Sequence, residues 1–190
     1  MTNKLKKIFA VNLIGVAIAI TPFTILAQTN KFNSVYVELL GNAIGYSVNY
    51  DRIIPLSGKI KLAPRIGFEY IPRIEDYQPY GEWSFPLELN MLYAKNNESK
   101  NFFEGGLGLS LFNLVEAYKQ DENGKILDTK VKMARITMLR LGFRHQKPTG
   151  GLMYRIGVMG RLSQDKFSYS RLGDDLFYKL WPGFSIGYSF

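Results

Sequence analysis

Residues 83–93 read WSFPLELNMLY, and this stretch decides the fold because its side chains alternate in character. The odd positions, from Trp83 to Tyr93, are all large and apolar, whereas the even positions are mostly polar or small. Successive side chains of a β-strand point to opposite faces, so a period of two predicts a strand with one apolar face.

The same alternation recurs along most of the chain. Residues 60–70 read IKLAPRIGFEY and residues 183–190 read GFSIGYSF, each with apolar side chains at every second position. Together these runs predict about eight strands, at 34–41, 44–54, 60–71, 82–94, 102–116, 131–145, 151–163 and 179–190. Most reach the roughly 9–11 residues of a tilted membrane strand. Residues 39–44 fit either a tight turn at Gly41-Asn42 or one bent strand.

The segments between the predicted strands form two alternating classes. Segments 55–59, 95–101 and 146–150 are short and rich in Pro, Gly, Asn, Ser and Lys, whereas segments 72–81, 117–130 and 164–178 are longer. Outer-membrane barrels have short periplasmic turns and longer surface loops. The first class is therefore predicted to face the periplasm and the second class the cell surface.

One face of the predicted strands is apolar. Taken as the outward face, it forms a continuous band of Val35, Val37, Val48, Leu62, Ile66, Phe68, Leu87, Leu89, Leu107, Leu109, Leu139, Leu141, Ile156, Val158, Phe184 and Ile186. Aromatic residues near the strand ends predict two interfacial girdles. The periplasmic girdle would contain Tyr50, Tyr93, Phe103, Phe143 and Tyr188, and the outer girdle Tyr70, Trp83, Phe85, Phe112 and Trp181.

The opposite face carries charges of both signs. Five acids (Glu38, Asp51, Glu69, Glu88 and Glu104) share it with five arginines (Arg65, Arg140, Arg144, Arg155 and Arg161). A water-soluble lipocalin-like barrel would show the reverse pattern, with apolar side chains inside. Charges in a narrow lumen are costly unless they are paired, and an eight-stranded barrel is just wide enough for side chains to fill. We therefore expect a lumen plugged by ion pairs, with a β-bulge near Ile136 and Met138, which share a face with Arg140.

The first 27 residues have the three parts of a secretory signal peptide. Lys4, Lys6 and Lys7 precede an apolar run at residues 8–20, and Ala27 offers a small residue for cleavage. Residues 1–27 are thus predicted to be cleaved and residues 28–190 to form the barrel domain, the alternative being an uncleaved N-terminal anchor. No later run of 18 apolar residues occurs, so no transmembrane helix is expected.

The last strand carries the most specific pattern, with Phe184, Ile186, Tyr188 and Phe190 at alternate positions. Here the sequence resembles the small outer-membrane β-barrels of the OmpA/OmpX type. The resemblance covers residues 28–190 in architecture and is motif-specific only over the last eight. It implies an antiparallel up-and-down transmembrane barrel in the outer membrane of a Gram-negative bacterium. It also implies contact with membrane lipid and recognition of the last strand by the barrel-assembly machinery. We expect a monomer.

Composition excludes several kinds of chemistry. The absence of Cys excludes disulfides, thiolate metal sites and a lipoprotein anchor. The formal charge of +8 comes from dispersed Lys and Arg without a block of like charges, which argues against nucleic acid. Residues 121–128 hold several oxygen ligands but lack the spacing of a calcium loop. We expect neither metal nor cofactor.

Three functions remain open at this point. Some barrels of this size modify outer-membrane lipid, as deacylases or acyltransferases, with a Ser and a His. The only catalytic candidate here is His145, but no Gly-x-Ser-x-Gly elbow occurs, and neither Ser110 nor Ser163 is obviously within its reach. A small pore is the second alternative. We expect instead a non-enzymatic envelope barrel, structural or binding an extracellular ligand through its outer loops, with contact residues Tyr77, Tyr80, Phe167, Tyr169 and Phe177.

Overall fold

The computed structural model describes residues 32–43, 45–72, 81–120, 126–164 and 179–190. Eight long strands run through these ranges: β1 (Asn33–Leu40), β2 (Tyr46–Arg52), β3 (Ile60–Ile71), β4 (Glu82–Tyr93), β5 (Asn101–Gln120), β6 (Ile126–Gln146), β7 (Gly151–Gln164) and β8 (Leu180–Ser189). A two-residue strand, Ile54–Pro55, follows β2 and pairs with β3. Among the described residues, no helix combines the length and the apolar character needed to cross a membrane.

The strands close into a barrel. Each long strand pairs antiparallel with its neighbours in the sequence, and β8 returns to β1, where Ile186 lies opposite Val37. The pairing of β2 with β3, with Val48 opposite Phe68, completes the ring. The all-β, antiparallel, up-and-down barrel of eight strands is therefore confirmed.

The hairpin of β5 and β6 is longer than predicted. We expected a loop over 117–130, but β5 reaches Gln120 and β6 begins at Ile126. Among the described residues, the pairing of β4 with β5 extends to Phe112 and the pairing of β7 with β6 begins at Ile136. Alternation in a sequence indicates that one face of a strand is buried. This part of the hairpin is held instead by pairing between its own two strands, with two register shifts. The expectation of a loop throughout 117–130 is therefore wrong.

The connection between β1 and β2 is a tight turn, which settles the alternative left open at residues 39–44. Residues Gly41–Ala43 form one turn of 3₁₀ helix, and Leu40 and Gly41 have positive φ angles of 58° and 65°. A glycine adopts such an angle without the steric cost of a Cβ atom. All three residues of the turn are buried. The turn is therefore folded into the barrel and not exposed at its mouth.

A register irregularity lies near Ile136 and Met138, as expected, but its additional residue belongs to the neighbouring strand. The pairing of β6 with β5 is regular through this region, with Ile136 opposite Ser110. The irregularity lies between β6 and β7, where Thr137 pairs with Ser163 and Met138 with Arg161. Leu162 is thus the additional residue, and β7 carries the bulge. Ile136 and Met138 are fully inside the barrel, at 4% and 0% exposure.

Candidate functional site

The outer wall of the barrel is an apolar belt, by which we mean the sixteen outward residues named from the sequence. All of them are exposed or half-exposed. Leu107, Leu141 and Ile186 have exposed fractions of 57%, 61% and 61%. Contiguous apolar surface of this extent is rare on soluble monomers and marks a membrane or protein contact.

The inner wall carries a network of charged side chains centred on Glu88. Its carboxylate lies 2.8 Å from Nη1 of Arg65, 3.2 Å from Nε of Arg140 and 3.3 Å from Nη2 of Arg155. These three arginines come from β3, β6 and β7, which are spread around the barrel. Glu88 therefore joins strands that are not all neighbours.

Two further carboxylates complete this central network. Glu38 forms ion pairs with Arg65 and Arg140, and Ser185 donates a hydrogen bond to it at 3.1 Å. Glu104 accepts two hydrogen bonds from Arg155, one of them at 3.0 Å from Nε. Charge-assisted bonds of this kind are about twice as strong as neutral ones.

Tyr36 lies in the middle of the network. Nη1 of Arg155 donates a hydrogen bond to its hydroxyl at 2.6 Å. The guanidinium carbons of Arg155 and Arg65 lie 5.2 and 5.6 Å from the centre of its ring. Both are within the range of a cation–π contact, so the ring fills the space between the two arginines.

A separate ion pair lies towards the end of the barrel that carries the short turns. Arg144 donates two parallel hydrogen bonds to Asp51, at 2.6 and 2.8 Å. The same guanidinium donates to Gln146 at 2.8 Å and to Ser34 at 3.2 Å. The guanidinium of Arg144 is thus bound by three side chains.

The buried charges balance. Three arginines and three carboxylates form the central network, and Arg144 with Asp51 adds one of each, all with side chains at most 1% exposed. Glu69 is arranged differently, because it accepts hydrogen bonds from Ser84 at 2.7 Å and from the backbone of Tyr46 at 3.2 Å. Arg161 is half-buried and lies opposite Met138. Ion pairs thus join the following residues predicted for the lumen: Glu38, Asp51, Glu88, Glu104, Arg65, Arg140, Arg144 and Arg155.

Apolar clusters lie on both sides of the charges. The outer cluster, at the end opposite the short turns, consists of Phe112, Ala134, Ile136, Met138, Met159 and Trp181. The second cluster consists of Ile53, Ala63, Leu92, Ala94 and Phe102. On β5, Glu104 lies between Phe112 and Phe102 and therefore between the two clusters. Water is thus kept from the charged zone at both ends, which strengthens its electrostatic interactions.

Two members of the outer cluster correct the aromatic girdle expected from the sequence. Phe112 and Trp181 were assigned to the outward face, but they are only 4% and 7% exposed and lie inside. Strand alternation places Phe112 on the same face as Ser110, and Trp181 on the same face as Gly183, both of which are buried. Their aromatic character and position near strand ends were misleading, because an inner apolar cluster uses the same residue types.

The turn Gly41–Ala43 closes the barrel beside the outer cluster. Nε1 of Trp181 donates a hydrogen bond to the carbonyl of Gly41 at 2.7 Å, and Nδ2 of Asn42 donates to the carbonyl of Leu87 at 3.0 Å. The hydroxyl of Ser110 donates to the carbonyl of Asn42. The turn is therefore tied to β4, β5 and β8. The sequence reasoning did not identify this role.

Glycines make room for the inward turn. A Cβ atom built on Gly183 would lie 3.0 Å from Cα of Gly41, and one built on Gly108 would lie 2.7 Å from Nδ2 of Asn42. Both glycines face the lumen on strands with alternating patterns. A glycine within a strand often marks a place where another backbone segment comes close. Gly108 and Gly183 are therefore the features of the sequence that could have indicated the inward turn.

His145 lies at the end of β6 beside the short turns. Its Nδ1 is 2.7 Å from Oδ1 of Asn101, and its ring stacks on Tyr154 with centroids 4.7 Å apart. Ser110 and Ser163 pair with Ile136 and Thr137, eight or more residues from His145 along β6, a distance of about 25 Å or more. The structure therefore brings neither serine to His145. Among the described residues, no cluster of His, Cys, Asp or Glu fits a metal ion.

The remaining predicted residues are placed as follows. The four residues proposed as an assembly signal, Phe184, Ile186, Tyr188 and Phe190, are exposed along the outer face of the last strand. The loop contacts Tyr77, Tyr80, Phe167, Tyr169 and Phe177 and the predicted signal peptide at residues 1–27 lie outside the described residues.

Comparison with known proteins adds no relative. No protein-family model, no curated protein and no solved structure matches this chain. The function of the protein is therefore inferred from the barrel, its inner charges and its outer belt.

Proposed function

We propose that the protein is an integral β-barrel of the OmpA/OmpX type in the outer membrane of a Gram-negative bacterium. Its lumen is closed, and its role is structural or is surface binding through its outer loops. The observation that carries this proposal is the distribution of side chains, with charged groups inside the barrel and apolar groups outside. Glu88 and its three arginines lie inside, whereas Leu107, Leu141 and Ile186 lie outside. A barrel surrounded by water would be more stable with apolar side chains inside and charged side chains outside.

The dimensions of the wall support a membrane location. β3 and β4 each contain 12 residues, which makes them about 40 Å long at about 3.3 Å per residue. A tilt of about 40° reduces this to about 30 Å across the membrane, close to the hydrocarbon thickness of a bilayer. Tyr93 and Phe103 at one end of the belt, and Tyr70 and Phe85 at the other, are exposed at the depths expected for interfacial aromatics.

The filled lumen argues against a pore. The central network, the two apolar clusters and the turn Gly41–Ala43 occupy the interior along its length. Opening a path would separate buried charges from their partners, which is strongly unfavourable. The loops and the β5–β6 hairpin are then left as the working surface. Within the part of the chain that the structure describes, the two strands of this hairpin continue to pair with each other beyond Phe112 and Ile136.

The first test is whether the folded protein requires a membrane. The chain from residue 28 would be refolded into lipid vesicles, floated on a density gradient and washed with alkaline carbonate. We expect it to stay with the vesicles and to migrate faster on detergent gels before boiling than after. A monodisperse, folded protein in detergent-free buffer would contradict the membrane location.

Two further measurements separate the alternatives. Planar-bilayer recordings of the refolded barrel should show no steady ion conductance, and a stable conductance would contradict the closed lumen. Mass spectrometry of outer-membrane lipid from cells with and without the protein should give the same lipid profile. A deacylated or acylated product that depends on the protein would contradict the non-enzymatic role and favour a lipid-modifying enzyme.

A further inference from the structure

The end of the barrel that carries the short turns is a basic rim, which we define as Arg52, Lys59, Lys95, Lys100 and Lys147. Each of these residues is exposed or half-exposed. Among the described residues of these three turns, Glu98 is the one exposed acid. The other acid nearby, Asp51, is buried and bound to Arg144. The rim therefore presents a clear excess of positive charge to its surroundings.

A pocket of about 640 Å³ lies on this rim, at the turn between β4 and β5. Tyr93 and Phe103 line its side towards the apolar belt, and Lys95 and Lys100 line it with positive charge. Phe103 is 73% exposed, more than any other large hydrophobic residue described. The remaining walls are polar and consist of Asn96, Glu98, Ser99 and Asn101. The pocket thus joins an aromatic wall to cationic groups.

A third lysine lies beside this pocket. The backbone N–H of Gln146 donates a hydrogen bond to the carbonyl of Lys100 at 2.8 Å, which brings the neighbouring Lys147 to the same part of the rim. His145 and Tyr154, stacked on each other, lie next to them on the outer face. Glu98 offsets one of the positive charges, and the three lysines leave the local charge positive.

We propose that this pocket and the basic rim around it bind the phosphate of an anionic phospholipid in the adjoining leaflet. The inference rests on the proposed membrane location. The lysine ammonium groups match the phosphate in charge, and the exposed faces of Tyr93 and Phe103 continue into the apolar belt, where the acyl chains lie. Lys side chains near a membrane surface reach the headgroups with their charged ends while their stems stay apolar. Each lysine near an anionic surface increases the binding constant about fivefold.

The test measures lipid selectivity directly. The refolded barrel in phosphatidylcholine vesicles would be probed with spin-labelled phosphatidylglycerol, phosphatidylethanolamine and phosphatidylcholine. Their relative association constants come from the motionally restricted fraction of the electron spin resonance spectrum. We expect phosphatidylglycerol to be preferred several-fold over both of the other lipids, and we expect salt to reduce the preference because it screens exposed charges.

Variants assign the preference to the rim. The triple substitution Lys95→Gln, Lys100→Gln and Lys147→Gln should reduce the selectivity to nearly that of phosphatidylcholine. The matched control is Lys179→Gln, because Lys179 is also exposed but lies next to the opposite end of the barrel. This control should keep the full selectivity. Gel migration before boiling would verify that both variants form barrels.

Several results would overturn the inference. Equal association of phosphatidylglycerol and phosphatidylcholine with the wild-type barrel would do so, as would a preference that survives the triple substitution. Equal association of phosphatidylethanolamine and phosphatidylglycerol would also do so, because it would show that the net negative charge of the lipid is not recognised. In each case the membrane location stands, because the barrel has inserted. Failure to insert into any of the vesicles would instead refute the membrane location, and the inference with it.

Discussion

Glu88 is the residue on which the interior of the barrel depends most, and its replacement by Gln gives the sharpest prediction. The wild-type carboxylate contacts Arg65, Arg140 and Arg155 within 3.3 Å. Gln has nearly the same shape but no charge, and its NH₂ group cannot accept a hydrogen bond from a guanidinium. In Glu88→Gln the central network therefore keeps three arginines but only two carboxylates, Glu38 and Glu104.

The size of the effect follows from the burial of these groups. Removal of one partner from a buried ion pair costs about 3–5 kcal/mol, because the other charge stays buried without compensation. We therefore expect Glu88→Gln to lower the free energy of unfolding by about that amount. The matched control is Glu98→Gln, because Glu98 is exposed in a turn and its replacement should cost less than about 0.5 kcal/mol.

A second substitution tests whether the charge imbalance is the cause. Arg140→Gln in the Glu88→Gln background leaves Arg65 with Glu38 and Arg155 with Glu104. The interior is then neutral again, so the double variant should lose less stability than the sum of the two single variants. We expect a coupling of about 1–3 kcal/mol between the two positions.

Unfolding by urea in lipid vesicles is the suitable assay, with tryptophan fluorescence as the signal. Trp181 is buried in the outer cluster and reports on the interior. Equal unfolding midpoints for Glu88→Gln and Glu98→Gln would refute the reasoning, since the central network would then contribute nothing measurable. Strict additivity of Glu88→Gln and Arg140→Gln would refute the charge-balance explanation.

Three other substitutions test other parts of the molecule. Leu141→Arg in the belt should destabilise the barrel in vesicles by about 2–4 kcal/mol. The control Leu56→Arg, in an exposed turn, should cost about 0–1 kcal/mol, and equal urea midpoints for the two variants would count against a lipid-facing belt. Gly183→Val should lower the free energy of unfolding by about 1–3 kcal/mol in the same assay, because its Cβ would press on the backbone of Gly41. An unchanged free energy of unfolding would show that the turn is not packed there. His145→Ala should remove its stacking contact with Tyr154, worth about 1 kcal/mol, and its hydrogen bond with Asn101. The outer-membrane lipid profile should stay unchanged by mass spectrometry, whereas an altered profile would indicate catalysis.

Much of the wall was predictable from the sequence because its signal is local. In a strand, each residue faces in or out according to its parity, so Leu87 and Glu88 reveal opposite surroundings without any knowledge of their partners. The strand count and the outward direction of the belt follow from this property, whereas the closed antiparallel order was implied by the resemblance to small outer-membrane barrels. Parity also places Phe112 and Trp181 inside, but they were assigned to the outward face from their aromatic character near strand ends, which does not distinguish a lipid-facing aromatic from one in an inner cluster.

The contacts inside the lumen were not predictable in the same way. Glu88 meets Arg140 and Arg155 through the stagger of strands that lie far apart in the sequence, and no local pattern encodes that stagger. Glu69 shows the consequence, since it faces inward as expected but is bound by Ser84 and a backbone N–H. The inward fold of Gly41–Ala43 was hidden for a related reason. A Gly-Asn pair indicates a turn but not the side of the wall to which the turn bends.

The central claim is that the belt faces lipid while the interior is closed, and spin labels test it most directly. The chain contains no Cys, so each introduced Cys carries a single label. Labels at Leu107, Leu141 and Ile186 in vesicles should collide readily with oxygen, which concentrates in the bilayer, and poorly with a water-soluble nickel chelate. A label at Lys147, on the basic rim, should show the reverse. Free access of the nickel chelate to the three belt positions would contradict the membrane barrel.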